Sequence, residues 1–156
     1  MALQPGQPAP DFTLYDSDKN PVTLSALKGQ PVLLLFFPLA FTSVCTAELC
    51  QVRDHIADYN RINARVLGIS VDALQSLDRF KKDQQLNFTL LSDFNKEAST
   101  SYECIYETFG WGMKGVSKRA AFVIDQEGII RYAEVLENAG NQPDFSAIEA
   151  ALAKLA

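Results

Sequence analysis

Seven consecutive residues, Pro31-Val32-Leu33-Leu34-Leu35-Phe36-Phe37, carry no polar side chain. A strand with one wet face would alternate; a continuous run of this length fits a strand covered on both faces, in the middle of an α/β sheet. The apolar stretch Val32 to Leu39 is broken only at Pro38 and is too short to cross a bilayer. After Pro38 the period changes. Cys45, Leu49, Val52, Ile56 and Tyr59 recur at spacings of 4, 3, 4 and 3, which is one stripe of an amphipathic helix. Thr42 and Ser43 stand where its N-cap is expected.

The rest of the chain is read around that strand–helix pair. Phe12 to Tyr15 and Pro21 to Leu24 read as two short strands joined by a turn, and Val66 to Val71 as a longer one. A helix is expected from about Ala73 to Gln85 with Asp72 as its cap, then a strand at Phe88 to Leu91 and a weaker helix from Lys96 to Tyr106. Arg119 to Ile124 and Ile129 to Val135 read as hairpin strands around Gln126-Glu127-Gly128. The chain ends in a helix with Phe145, Ile148, Leu152 and Leu155 on one face. This order implies an α/β protein whose central mixed sheet is flanked by helices, a thioredoxin-like succession of elements. At 156 residues without repeats or linkers, a single domain spanning 1–156 is expected.

Charge narrows the partners. The formal net charge is −5, and no basic cluster exceeds Lys81-Lys82. Nucleic acid and anionic membrane surfaces both call for a basic face, so neither is expected. The start, Met1-Ala2-Leu3-Gln4-Pro5, has no basic and apolar leader, which makes a cytoplasmic location the expectation. Three cysteines, Cys45, Cys50 and Cys104, form an odd set that suggests thiol chemistry or core packing over structural bridges.

Cys45 falls in the first turn of the helix that follows the buried strand. There the backbone N–H groups lack intrahelical partners and the macrodipole favours negative charge, so a thiolate is stabilised relative to the thiol. A small buried core residue is the competing reading of the same position.

The neighbours of Cys45 add a resemblance. Pro38-Leu39-Ala40-Phe41-Thr42-Ser43-Val44-Cys45 contains P-x-x-x-T-x-x-C, directly after a buried strand and opening a helix. It resembles the active-site motif of the peroxiredoxins, thiol peroxidases on a thioredoxin-like fold. The likeness extends over most of the chain: Ala9-Pro10-Asp11-Phe12-Thr13-Leu14, Glu48, Leu91-Ser92-Asp93, Arg119 opening Ala121 to Asp125, and Gly128-Ile129-Ile130-Arg131. Phe36 to Thr42 and Glu48-Leu49 look like the alkyl hydroperoxide reductase E type, which lacks a thiol at the position of Cys50. The C-x4-C pair made by Cys50 is instead similar to Q-type (bacterioferritin-comigratory) members.

What the resemblance implies is a thiol peroxidase acting on hydrogen peroxide and small alkyl hydroperoxides, with no cofactor. Cys45 would be the peroxidatic nucleophile and Thr42 would orient the peroxide. Arg119 would hold the thiolate and polarise the O–O bond. Pro38 would shield the sulfur, and Glu48 would orient an arginine. Without the motif, Thr42 reads equally as a plain N-cap, Arg119 as a surface strand residue and Glu48 as a solvated carboxylate. The resemblance also implies that Cys50 resolves the sulfenic acid as an intramolecular disulfide, with thioredoxin- or glutaredoxin-like proteins as reductant. Five residues along a helix place the two Cα atoms ~8–9 Å apart, whereas a disulfide needs less than about 7 Å. Bonding therefore requires the helix to unwind. The alternative for Cys50 is packing on the helix flank, which leaves a one-cysteine peroxidase resolved by an external thiol, or a sensor without turnover.

Other readings are weaker. A thiol–disulfide oxidoreductase would be expected to carry C-x-x-C, which is absent. Cys45, Cys50 and His55 are five residues apart each, so they spread around a helix and make a poor zinc or copper site. His55 reads as a partly exposed helix residue and Cys104 as core. The segment Tyr106 to Val116, with Phe109, Trp111 and Met113 among glycines, suits either a self-packed loop or the interface of a homodimer.

Overall fold

The structure, a computed structural model, describes residues 3–155; the ends of the expected 1–156 span, Met1, Ala2 and Ala156, lie outside the described residues. Seven strands form one sheet: β1 (Thr13–Asp16), β2 (Pro21–Thr23), β3 (Val32–Phe36), β4 (Arg65–Ser70), β5 (Thr89–Ser92), β6 (Arg119–Ile124) and β7 (Ile130–Leu136). Their spatial order is β2-β1-β5-β4-β3-β6-β7. The sheet is mixed: β3 runs parallel to β4 and β4 to β5, while β6 lies antiparallel to both β3 and β7. This is the expected α/β architecture, with the apolar run from Val32 buried at every residue as β3.

Two cores follow from the alternation of β3. Leu33, Leu35 and Phe37 face one side with Leu49, Val52, Tyr59, Leu77, Phe80, Ile148 and Leu152. These come from α1 (Ser43–Asp54), α2 (Ile56–Arg61), α3 (Leu74–Asp83) and α5 (Phe145–Ala153). Val32, Leu34 and Phe36 face the other side with Phe12, Tyr102, Cys104 and Phe122. That side carries the short α4 (Glu97–Ser101), and the N-terminal segment helps to close it: the Tyr102 hydroxyl donates to the Pro10 carbonyl at 2.7 Å. Gly68 in β4 makes room for Leu90: a Cβ there would come within 2.7 Å of the tip of the Leu90 side chain, which would have to shift.

The expected elements all form, with local differences. The helix stripe from Cys45 to Tyr59 is divided: α1 stops at Asp54, His55 takes φ −113° and ψ 14°, and α2 restarts at Ile56. His55 is thus an exposed junction residue, its Nδ1 against the Gln51 carbonyl at 2.8 Å. Asp72 does not cap α3. Ala73 occupies the N-cap without a side-chain hydrogen bond, because the Asp72 carboxylate is engaged elsewhere. The helix expected over 96–106 ends at Ser101, since Glu103 adopts a left-handed φ of 53° and turns the chain towards the bridge between Ile105 and Ser117. A 3-10 turn at Leu24–Leu27, unexpected from the sequence, follows β2.

Candidate active site

Because β6 runs antiparallel to β3, the first residue of β6 lies at the end of the sheet where β3 finishes. The register pairs Phe36 with Ala120. Arg119 therefore emerges beside the turn from Phe37 to Thr42, and α1 starts from that turn. The sequence-expected residues Pro38, Thr42, Cys45, Glu48 and Arg119 are drawn to this one place by strand pairing and helix periodicity, although Arg119 is far from the others in the chain.

Thr42 is the residue before α1, with extended φ −86° and ψ 154°. Its hydroxyl makes no cap bond; it donates to the Leu39 carbonyl at 2.7 Å. The first helical bond runs from Thr46 N to Thr42 O, at 2.9 Å, so the N–H groups of Ser43, Val44 and Cys45 fall at the unpaired end of the helix. Cys45 is 1% exposed. Its sulfur accepts from Nη2 of Arg119 at 3.4 Å. Pro38 is buried beneath the turn and Thr42 is exposed at its rim. Phe41, half exposed with φ 68°, stacks edge-on against Phe80 at 5.1 Å between centroids.

Arg119 is itself enclosed, 1% exposed, and held by two further contacts. Nη1 donates to Glu48 Oε1, and Nη2 also donates to the carbonyl of Ala139 at 2.9 Å. Burial works against the guanidinium's charge, but the Glu48 carboxylate and the Cys45 sulfur outweigh it, and its pKa is raised. Glu48 is fully enclosed, so the solvated reading fails for it. Burial pushes its pKa up to about 7; Arg119 opposes that shift and Glu134 adds to it. Glu48 Oε2 and Arg119 Nε have no hydrogen-bond partner among the described residues. The Ala139 carbonyl was invisible to sequence reasoning, because a backbone acceptor carries no residue signature.

The other two cysteines differ. Cys50 is partly buried on the flank of α1, its thiol donating to Gln84 Oε1 at 3.5 Å, and all three cysteines are free. Cys104 is enclosed in the opposite core, 3.9 Å from the Ser117 hydroxyl, and burial pushes its thiol up to about 12. Among the described residues no group of three His, Cys, Asp or Glu side chains gathers as a metal site, and no helix is long and apolar enough to cross a membrane. In the loop expected to be self-packed or interfacial, Phe109 stacks on Tyr106 at 5.0 Å while Trp111 is 100% exposed.

Comparison with known proteins bears on the family and the fold. The AhpC/TSA family model matches residues 5–133. Alkyl hydroperoxide reductase E of Mycobacterium bovis is 40% identical over 134 residues, covering 85% of this chain and 86% of that protein. Among solved structures, peroxidoxin BcpB from Mycobacterium tuberculosis superposes with a TM-score of 0.82 at 28% identity, covering 98% of this chain and 96% of that one. Peroxiredoxin Q from Xanthomonas campestris gives 0.80 at 27% identity, covering 92% and 90%. With most of its length matched by the family model and the cysteine motif at the head of α1, the chain belongs to the AhpC/TSA family, that of the peroxiredoxins.

Proposed function

We propose that the protein is a thiol-dependent peroxidase in which Cys45 reduces hydrogen peroxide and small alkyl hydroperoxides. The observation that carries this reading is the Cys45 sulfur at the open end of α1 with the Arg119 guanidinium 3.4 Å away. The thiolate attacks one peroxide oxygen and the O–O bond breaks. Sulfur is oxidised to the sulfenic acid, and the departing oxygen takes a proton and leaves as water or an alcohol. Negative charge moves from sulfur to the leaving oxygen, so donors fixed near both atoms favour the transition state over the ground state. Arg119 and the first-turn N–H groups of α1 are such donors. Thr42 spends its hydroxyl hydrogen on Leu39, so its lone pairs are left to accept the hydroxyl of an incoming peroxide. Pro38 shields the sulfur from beneath, and Glu48 holds Arg119 from the side away from substrate.

Cys50 resolves the sulfenic acid in this proposal: its thiolate attacks the Cys45 sulfur, the S–O bond breaks as the disulfide forms, and the hydroxyl leaves as water with the proton the Cys50 thiol gave up. The first turns of α1 must unwind for this, since both residues sit on an intact helix. A dithiol protein of thioredoxin or glutaredoxin type then restores both thiols by exchange. The intact helix and the Cys50–Gln84 contact support a second reading, in which an external thiol resolves Cys45. We place the enzyme in the cytoplasm, as one domain with no resident cofactor, and pair it as a homodimer through the exposed Trp111 loop. A monomeric mass by light scattering across a dilution series would remove the dimer.

Intact mass after one equivalent of hydrogen peroxide on the reduced protein, with peptide mapping, tests the chemistry. Loss of two hydrogens at Cys45 and Cys50 is expected. Added oxygen on Cys45 alone would assign resolution to an external thiol, and an unmodified Cys45 would end the peroxidase reading.

A further inference from the structure

We propose that Asp72 is a positioning residue for peroxide reduction, fixing the turn that presents Thr42 and opens α1. The proposal rests on the peroxidase reading of Cys45. One oxygen of the Asp72 carboxylate, Oδ2, accepts from the backbone N–H of Ala40 at 2.8 Å and from the Ser70 hydroxyl at 2.7 Å. Ser70 Oγ in turn accepts from the Asp72 N–H at 3.2 Å, and the Ser92 hydroxyl donates to the Asp72 carbonyl at 2.6 Å. Ser70 and Ser92 end the adjacent strands β4 and β5, paired to each other in register. The carboxylate is thereby locked to the rigid part of the molecule on one side and to the loop on the other.

The loop needs such a tie. Phe41 holds a left-handed φ of 68°, a region that a bulky residue seldom adopts unless its surroundings impose it. Ala40 is 8% exposed, so without Asp72 its N–H would be buried and unmet. The turn would relax to satisfy that group, and Thr42, whose hydroxyl is bonded within the same turn to Leu39, would move with it. Asp72 touches neither Cys45 nor Arg119 through any of these bonds; it acts through the placement of Thr42.

The test compares two rates on the reduced full-length protein. One is oxidation of Cys45 by hydrogen peroxide. The other is alkylation of Cys45 by iodoacetamide at the same pH, which needs the thiolate but no oriented peroxide. For Asp72→Ala the peroxide rate is expected to fall by about tenfold to a hundredfold, the scale of a misplaced reacting group, with alkylation nearly unchanged. Asp72→Asn keeps an amide oxygen for the Ala40 N–H and is expected to restore most of the peroxide rate. Equal loss of both rates, an unchanged peroxide rate, or an Asn variant as slow as the Ala variant would each overturn the proposal. If circular dichroism shows Asp72→Ala unfolded, Ser70→Ala takes its place, with a smaller loss confined to the peroxide rate expected and no loss counting against. A native Cys45 inert to peroxide would remove the peroxidase reading and this proposal together; a reactive native Cys45 with an equally reactive Asp72→Ala would remove only this one.

Discussion

Cys45 and Cys104 are equally hidden, 1% and 0% exposed, yet they occupy opposite chemical settings. They lie in the two cores on either side of the sheet. The Cys104 sulfur has the Ser117 hydroxyl 3.9 Å away, and burial raises the thiol to about 12, which keeps it protonated at neutral pH. Around Cys45 stand a guanidinium and the unpaired amides of a helix start. Removal from water alone makes a thiol a core atom. Removal from water beside fixed positive charge and aimed donors makes a nucleophile's pocket.

That contrast can be broken outright. Cys45→Ser should abolish peroxide consumption with a thiol donor; any appreciable turnover in it would put the chemistry elsewhere. Arg119→Gln strips Cys45 of the charge that separates it from Cys104. A loss of about a hundredfold to a thousandfold in the peroxide rate is expected, the scale of a deleted transition-state donor. The same change leaves Glu48 enclosed without its counter-charge, so urea unfolding should show roughly 3–5 kcal/mol less stability.

Glu48 sharpens the comparison through pH. Its native pKa is raised from 4.5 to about 7, so the native state holds a proton that the unfolded chain has released between those values. Stability from this group is fully present below about pH 4.5 and is lost as pH rises through about 7. Relative to Glu48→Gln, the native protein's urea midpoint should therefore fall from pH 5 to pH 8; a constant difference would mean the carboxyl titrates normally. The smallest effect belongs to Cys104→Ala. Peroxide turnover should stay within about twofold, while the lost sulfur volume lowers stability by about 1–2 kcal/mol.

The sheet was legible because its interior strand β3 is apolar without interruption, and the helices because stripes such as Phe145, Ile148, Leu152 declare a buried face. The candidate site was legible only through its motif. Helix position marks Cys45 as interesting, but nothing local distinguishes Arg119 from other arginines; its place comes from the antiparallel pairing of β6 with β3, a strand far away in the chain. Asp72 misled for a physical reason. A carboxylate between a strand and a helix has the composition of a cap, and only the tertiary fold shows that a buried N–H of the preceding crossover competes for it. The end of α4 at Ser101 was missed likewise, since Glu103 carries no turn signature of its own.

The break at His55 has a mechanical consequence. Helical order is cooperative, and disorder entering at one end of a continuous helix spreads along it. Here α1 is twelve residues long and ends in a junction whose N–H already bonds back to Gln51 and Val52, while α2 begins anew and anchors through the enclosed Tyr59. The unwinding that the proposed Cys50 step requires would thus be confined to α1. In the proposed Cys45–Cys50 cycle the junction would act as a firebreak: α1 would melt and reform while the scaffold behind it stays folded.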